Sequence, residues 1–127
     1  MSVEALLESE YAILLSHPAV RTVELSRYSA NRLDGYLRAR CTLTNGDYLE
    51  IALHLSASGH AVAIDDYRYQ WMDAAQTLLH RRWDSTPHFP ELPGFPHHCH
   101  IGIEGAVEPG SPMNLTQLLD CIVSLIG

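Results

Sequence analysis

Gly35-Tyr-Leu-Arg-Ala-Arg-Cys-Thr-Leu-Thr-Asn-Gly-Asp-Tyr-Leu-Glu-Ile-Ala-Leu-His-Leu55 reads as two alternating runs joined by a turn. Leu37, Ala39, Cys41 and Leu43 alternate with Tyr36, Arg38, Arg40 and Thr42. Leu49, Ile51, Leu53 and Leu55 alternate with Tyr48, Glu50, Ala52 and His54. A period of two belongs to a strand with one buried face. Asn45-Gly46 between the runs signals a hairpin. Parity then selects the loop. A two-residue loop would set Leu43 against Tyr48 and mix apolar with polar. A three-residue loop, Thr44-Asn45-Gly46, puts Gly46 at the left-handed position of a G1 bulge. Cys41 then faces Leu49, Ala39 faces Ile51 and Leu37 faces Leu53. Arg40 lands opposite Glu50, a favourable cross-strand pair.

Outward from the hairpin, Ala61–Met72 is rich in Val, Ile, Tyr and Trp, and Thr77–Trp83 follows a short turn at Asp73–Gln76. Arg21–Tyr28 and His100–Ile103 complete about six strands. Their short connections favour an antiparallel meander. Both ends read as helix. Val3, Leu6, Leu7, Tyr11, Leu14 and Leu15 recur at helical spacing behind a Ser2 cap, and Pro18 stops that run. Asn114 and Gln117 form a capping-box pattern before Leu115, Leu118, Leu119 and Ile122. The expected fold is α+β, an antiparallel meander sheet of about six strands with N- and C-terminal helices covering one face. A single α+β domain is expected over 1–127.

Composition limits the function. A chain of 127 residues, 46% hydrophobic and 18% charged, is neither disordered nor short of a core. No apolar run nears the roughly 18 residues of a membrane span. Three cysteines without a C-x-x-C pattern suit reduced thiols. A cytoplasmic protein with no membrane partner is expected. The net charge of -7 argues against a general nucleic-acid coat. All eight cations are Arg, which grips phosphate and carboxylate better than Lys.

The densest chemistry lies in Arg82–His100. Prolines fall at 87, 90, 93 and 96, and histidines at 88, 97, 98 and 100. A period of three matches polyproline II, so the run is expected as an extended rail. Phe89, Leu92 and Phe95 would form its inward apolar stripe.

Tyr67-Arg-Tyr-Gln-Trp71, Asp73, Arg82-x-Asp84, Pro87-His88, Pro90-Glu-Leu-Pro93 and Phe95-Pro-His-His-x-His100 resemble the pattern of TumE-type toxins of toxin–antitoxin pairs. The resemblance is specific over about residues 62–126. The chain departs from the pattern at Ser85-Thr86, at Phe89 and at Ala74-Ala75-Gln76. The resemblance implies a small cytoplasmic toxin neutralised by a neighbour-encoded antitoxin, often a helix-turn-helix protein.

A mechanism follows from residue chemistry. With Gln70 opposite His80, the side chains of Arg68, Gln70, His80 and Arg82 would share a face, available with His97 for substrate binding. Two imidazoles can move protons in metal-independent RNA cleavage, and arginines can stabilise the charged phosphorane. The expected acid/base pair is His88 and His98, in a catalytic set that also includes His100, with Arg82 on the phosphate and Asp84 orienting a histidine. Tyr67, Tyr69 and Trp71 could stack bases, although their alternation fits the core. No cofactor and no metal is expected. One alternative is a non-enzymatic binding protein or degenerate relative. Another is a metal-binding protein using His97, His98, His100 and His88. An open sheet edge could pair with a second copy as a homodimer, or with the antitoxin.

Overall fold

The computed structural model describes residues 1–85, 91–102 and 106–126. Helix α1 (Val3–Ser16) precedes strands β1 (Val20–Ala30), β2 (Asp34–Leu43), β3 (Tyr48–Ser58) and β4 (Ala61–Met72). Strands β5 (Leu79–Asp84), β6 (His98–Ile101) and β7 (Ala106–Pro109) follow, then helix α2 (Leu115–Ile126). Among the described residues the strands form one seven-stranded antiparallel sheet in the order β1 to β7. Each strand pairs with its neighbour in sequence. The sheet is thus the expected α+β meander with one more strand. Short, weakly alternating β7 is the addition, and Pro109 is tolerated there because β7 is an edge.

The hairpin has the register that parity selects. Cys41 pairs with Leu49, Ala39 with Ile51, Leu37 with Leu53 and Arg40 with Glu50. Gly46 has φ 93°, and its amide donates to Leu43 O at 2.9 Å. The apolar set of β2 and β3 is buried, and continues as Tyr67, Tyr69 and Trp71 of β4, Trp83 of β5 and Cys99 of β6. Val3, Leu7 and Leu14 of α1 and Leu115, Leu118, Leu119 and Ile122 of α2 cover this face. The three β4 aromatics are therefore core residues and not base-stacking platforms.

Local chemistry sets the helix ends. Ser2 Oγ accepts from the Ala5 amide at 3.0 Å. Asn114 Oδ1 accepts from Gln117 N at 2.8 Å, and Gln117 Oε1 accepts from Asn114 N at 3.0 Å. Tyr69, fully buried, donates its hydroxyl to Met113 O at 3.0 Å. That bond fastens the entry of α2 to the middle of β4. The buried stripe of α1 also contains Glu10, whose carboxyl is pushed above its ordinary value by burial.

Two expectations fail around the fifth strand. Gln70 pairs with Arg82, not His80. The Asp73 carboxylate accepts from the amides of Thr77 (2.8 Å) and Leu78 (3.0 Å). This turn consumes both residues, so β5 begins only at Leu79. The register then shifts between Trp71 and Met72, opposite His80. The rail is also not extended where it is described. Residues 91–96 are mainly turns, with Phe95 N donating to Leu92 O and His97 N to Gly94 O. Gly94 takes φ 83°, and Phe95 is 45% exposed, so it belongs to no inward stripe. Phe89 lies outside the described residues.

Candidate functional site

The sheet face away from the helices is polar, and the ladder arranges it. Arg68, Asp84 and His98 stand side by side across β4, β5 and β6. Gln70, Arg82 and His100 form the adjacent row. Two residues along a strand return to the same face, so the six side chains make a grid of two rows and three columns. Toward β2 the rows continue through Ala52 to Arg38 and through Glu50 to Arg40.

The grid closes tightly at one corner. His98 Nε2 lies 2.8 Å from Asp84 Oδ1, and His100 Nε2 lies 3.7 Å from Asp84 Oδ2. Arg82 Nε is 3.5 Å from the same Oδ2. The rings of His98 and His100 meet edge to face with centroids 4.9 Å apart. Asp84, His98 and His100 are buried despite standing on the polar face. His98 Nδ1 is 3.0 Å from Pro96 O. A carbonyl only accepts, so Nδ1 carries the proton of that bond, and Nε2 is the nitrogen turned to Asp84. Burial and then the Arg82 guanidinium push the His100 imidazole below its usual range, while Asp84 pulls the other way.

Four of the five residues expected for catalysis, Arg82, Asp84, His98 and His100, are therefore brought together. His88 lies outside the described residues. Of the substrate-binding set, Arg68 and Gln70 join the grid, and Arg68 donates to Gln70 Oε1 at 3.2 Å. The other two do not join. His80 packs on the Trp71 ring at 4.7 Å and lies 3.4 Å from Asp47 Oδ2, because the register shift turns it toward the core aromatic. His97 precedes β6 and falls on the helix-covered side, stacked on Tyr67, with its Nδ1 2.9 Å from the Tyr67 hydroxyl. A metal set containing both His97 and His98 is excluded by that geometry.

Sequence reasoning missed three supports. Ser85 Oγ donates to Asp66 Oδ1 at 2.8 Å and accepts from the Tyr67 amide at 3.0 Å, so this departure from the family pattern clamps β5 to β4. Pro96 supplies the carbonyl that orients His98. Gly110 passes so close to β6 that a Cβ there would stand 2.7 Å from the His98 amide nitrogen. A side chain at Gly94 would in turn run into the Gly110 carbonyl oxygen. Such backbone contacts carry no sequence signal beyond the glycines themselves.

The grid adjoins a cleft of about 270 Å³ on the same face, with Arg27, Tyr36, Arg38, His54, Asp66 and Arg68 among its lining. Arg27 sits 3.7 Å over the Tyr36 ring. Arg27, Arg38, Arg40, Arg68 and Arg82 thus place five of the eight cations of an acidic protein on one surface. Among the described residues no helix is long and apolar enough to cross a membrane.

No curated protein and no solved structure gives a match. The family described as Toxin TumE matches residues 10–126, a span that contains the whole sheet, the second half of α1 and all of α2. The chain belongs to the TumE toxin family.

Proposed function

We propose that the protein is the toxin of a toxin–antitoxin pair and acts by cleaving RNA without a metal. Family membership supplies the toxin and implies a cognate antitoxin. The nature of the reaction rests on one observation, the grid that sets His98, His100, Arg82 and Asp84 beside an arginine-lined cleft.

In this reading the ribose–phosphate chain lies across the polar face with its phosphates on Arg38, Arg68 and Arg82. His100 takes the proton of a ribose 2′-hydroxyl. The 2′-oxygen attacks phosphorus, the bond from phosphorus to the 5′-oxygen breaks, and a second imidazole protonates that oxygen. His88, in the connection between β5 and β6, is the proposed donor. Arg82 and Arg68 stabilise the phosphorane. His98 is sealed beneath the surface at 2% exposure, so it serves with Asp84 as a positioning residue for His100. The products are a 2′,3′-cyclic phosphate and a free 5′-hydroxyl. The antitoxin is proposed to be neighbour-encoded and the site of action cytoplasmic.

The test is incubation of RNA with the purified protein in excess chelator. Fragments with cyclic-phosphate ends are expected. Cleavage that needs added metal, or fragments ending in a 3′-hydroxyl, would sink the proposal.

A further inference from the structure

Asp84, His98 and His100 offer a carboxylate oxygen and two imidazole nitrogens within 4.8 Å of one another, all from buried side chains. Two histidines and one carboxylate are a recurring donor set for divalent transition metals, and imidazole favours zinc, nickel, copper or iron over magnesium. Around an ion with bonds of about 2.1 Å, neighbouring ligand atoms stand roughly 3.0–3.4 Å apart. The observed 2.8 Å from His98 to Asp84 and 3.7 Å from His100 to Asp84 bracket that spacing.

The backbone gives the arrangement a reason to persist. His98 and His100 share a face because they are two apart on β6, and Asp84 is the cross-strand partner of His98. The Pro96 carbonyl on His98 Nδ1 fixes the ring with Nε2 facing the carboxylate. Histidine ligands are commonly oriented by such an acceptor on the far nitrogen. Arg82 is the competing cation. It is partly exposed and its Nε stands 3.5 Å from Asp84 Oδ2, a loose contact that can yield when an ion enters.

We propose that Asp84, His98 and His100 bind one divalent transition-metal ion, with zinc the best-suited occupant, in exchange for the Arg82 contact. An occupied site commits His100 to the ion and removes it from proton transfer. Metal would then act as an off switch for RNA cleavage. That consequence rests on the functional reading above, whereas binding does not.

The 127-residue chain, purified without a metal-affinity column, is titrated with Co²⁺ and followed by its visible d–d absorption. Zn²⁺ is then added to displace the cobalt. One equivalent of Co²⁺ should bind and be displaced. Asp84→Asn and His100→Gln should each weaken binding by at least about tenfold. Arg82→Gln should strengthen it, and exposed His60→Gln should leave it unchanged. Circular dichroism establishes that each variant is folded, and Asp84→Asn preserves side-chain size if a histidine variant fails. A missing cobalt band, or equal binding by folded Asp84→Asn, overturns the site. RNA cleavage by a protein that binds no cobalt overturns the metal site alone. A cobalt site in a protein that cleaves no RNA overturns the functional reading alone.

Discussion

Asp84 Oδ1 sits 2.8 Å from Nε2 of His98, and both side chains are nearly sealed from solvent. Breaking a buried ion pair by removing one member costs about 3–5 kcal/mol. Asp84→Ala should therefore lower stability by about that amount. Asp84→Asn, which keeps size and one acceptor oxygen, should lower it less. Urea unfolding midpoints measure both. A wild-type midpoint for Asp84→Ala would show that the pair contributes nothing to the fold. For the same reason His98→Ala is a poor probe of toxicity, since it disturbs the fold as well as the chemistry.

Arg68 separates the two effects. It is exposed on β4, and its guanidinium donates to Gln70 on the same strand. Arg68→Ala should keep the urea midpoint within about 0.5 kcal/mol of stability. RNA cleavage should fall by at least about tenfold if the guanidinium stabilises the phosphorane. Arg32→Ala, in the exposed turn between β1 and β2, is the control and should cleave like wild type. Equal cleavage by both variants would remove Arg68 from the mechanism.

Gly110 controls the site from behind. A methyl group there would approach the His98 amide nitrogen at 2.7 Å and the His98 Cα at 2.8 Å, both backbone atoms. The start of β6 must move to admit it. Gly110→Ala should cost about 1–3 kcal/mol of stability. It should also disable cleavage although no catalytic group is altered. Cleavage at the wild-type rate would mean that β6 has more room than its contacts show.

Glu10 gives the pH dependence of stability. Burial raises its carboxyl above 4.5 in the folded protein. The folded state therefore holds the proton more tightly than the unfolded chain. This contribution is fully present below the ordinary carboxyl range and is lost as pH rises through the raised folded value. Glu10→Gln carries no such titration. The variant should be about 1 kcal/mol more stable than wild type at neutral pH, with the difference closing toward pH 4. Parallel unfolding curves across that range would show that Glu10 is solvated in the native protein.

The hairpin was legible because two signals agreed. Apolar parity from Leu37 to Leu55 and the Asn45-Gly46 turn permit one register, and β2 and β3 adopt it. The shared face of His98 and His100 was legible from their spacing alone. The β4–β5 register was not, because the Asp73 carboxylate lengthens the turn through hydrogen bonds that no periodicity reports. Prolines at every third position suggested an extended rail, but that spacing is equally compatible with successive turns at Gly94 and Phe95. The approach of Asp84 to His98 is a tertiary fact. It depends on which strand follows β5 in the sheet, and the intervening residues do not announce that.

The strands lie across the sheet in the order in which they are synthesised. β2, β3 and β4 can each pair with the strand made just before, and so β1 to β4 can fold as they leave the ribosome. The grid cannot. Asp84 waits for His98 and His100, and Tyr69 waits for the Met113 carbonyl. In the proposed reading, a nascent chain therefore stays inactive until β6 and the Met113 carbonyl have been made.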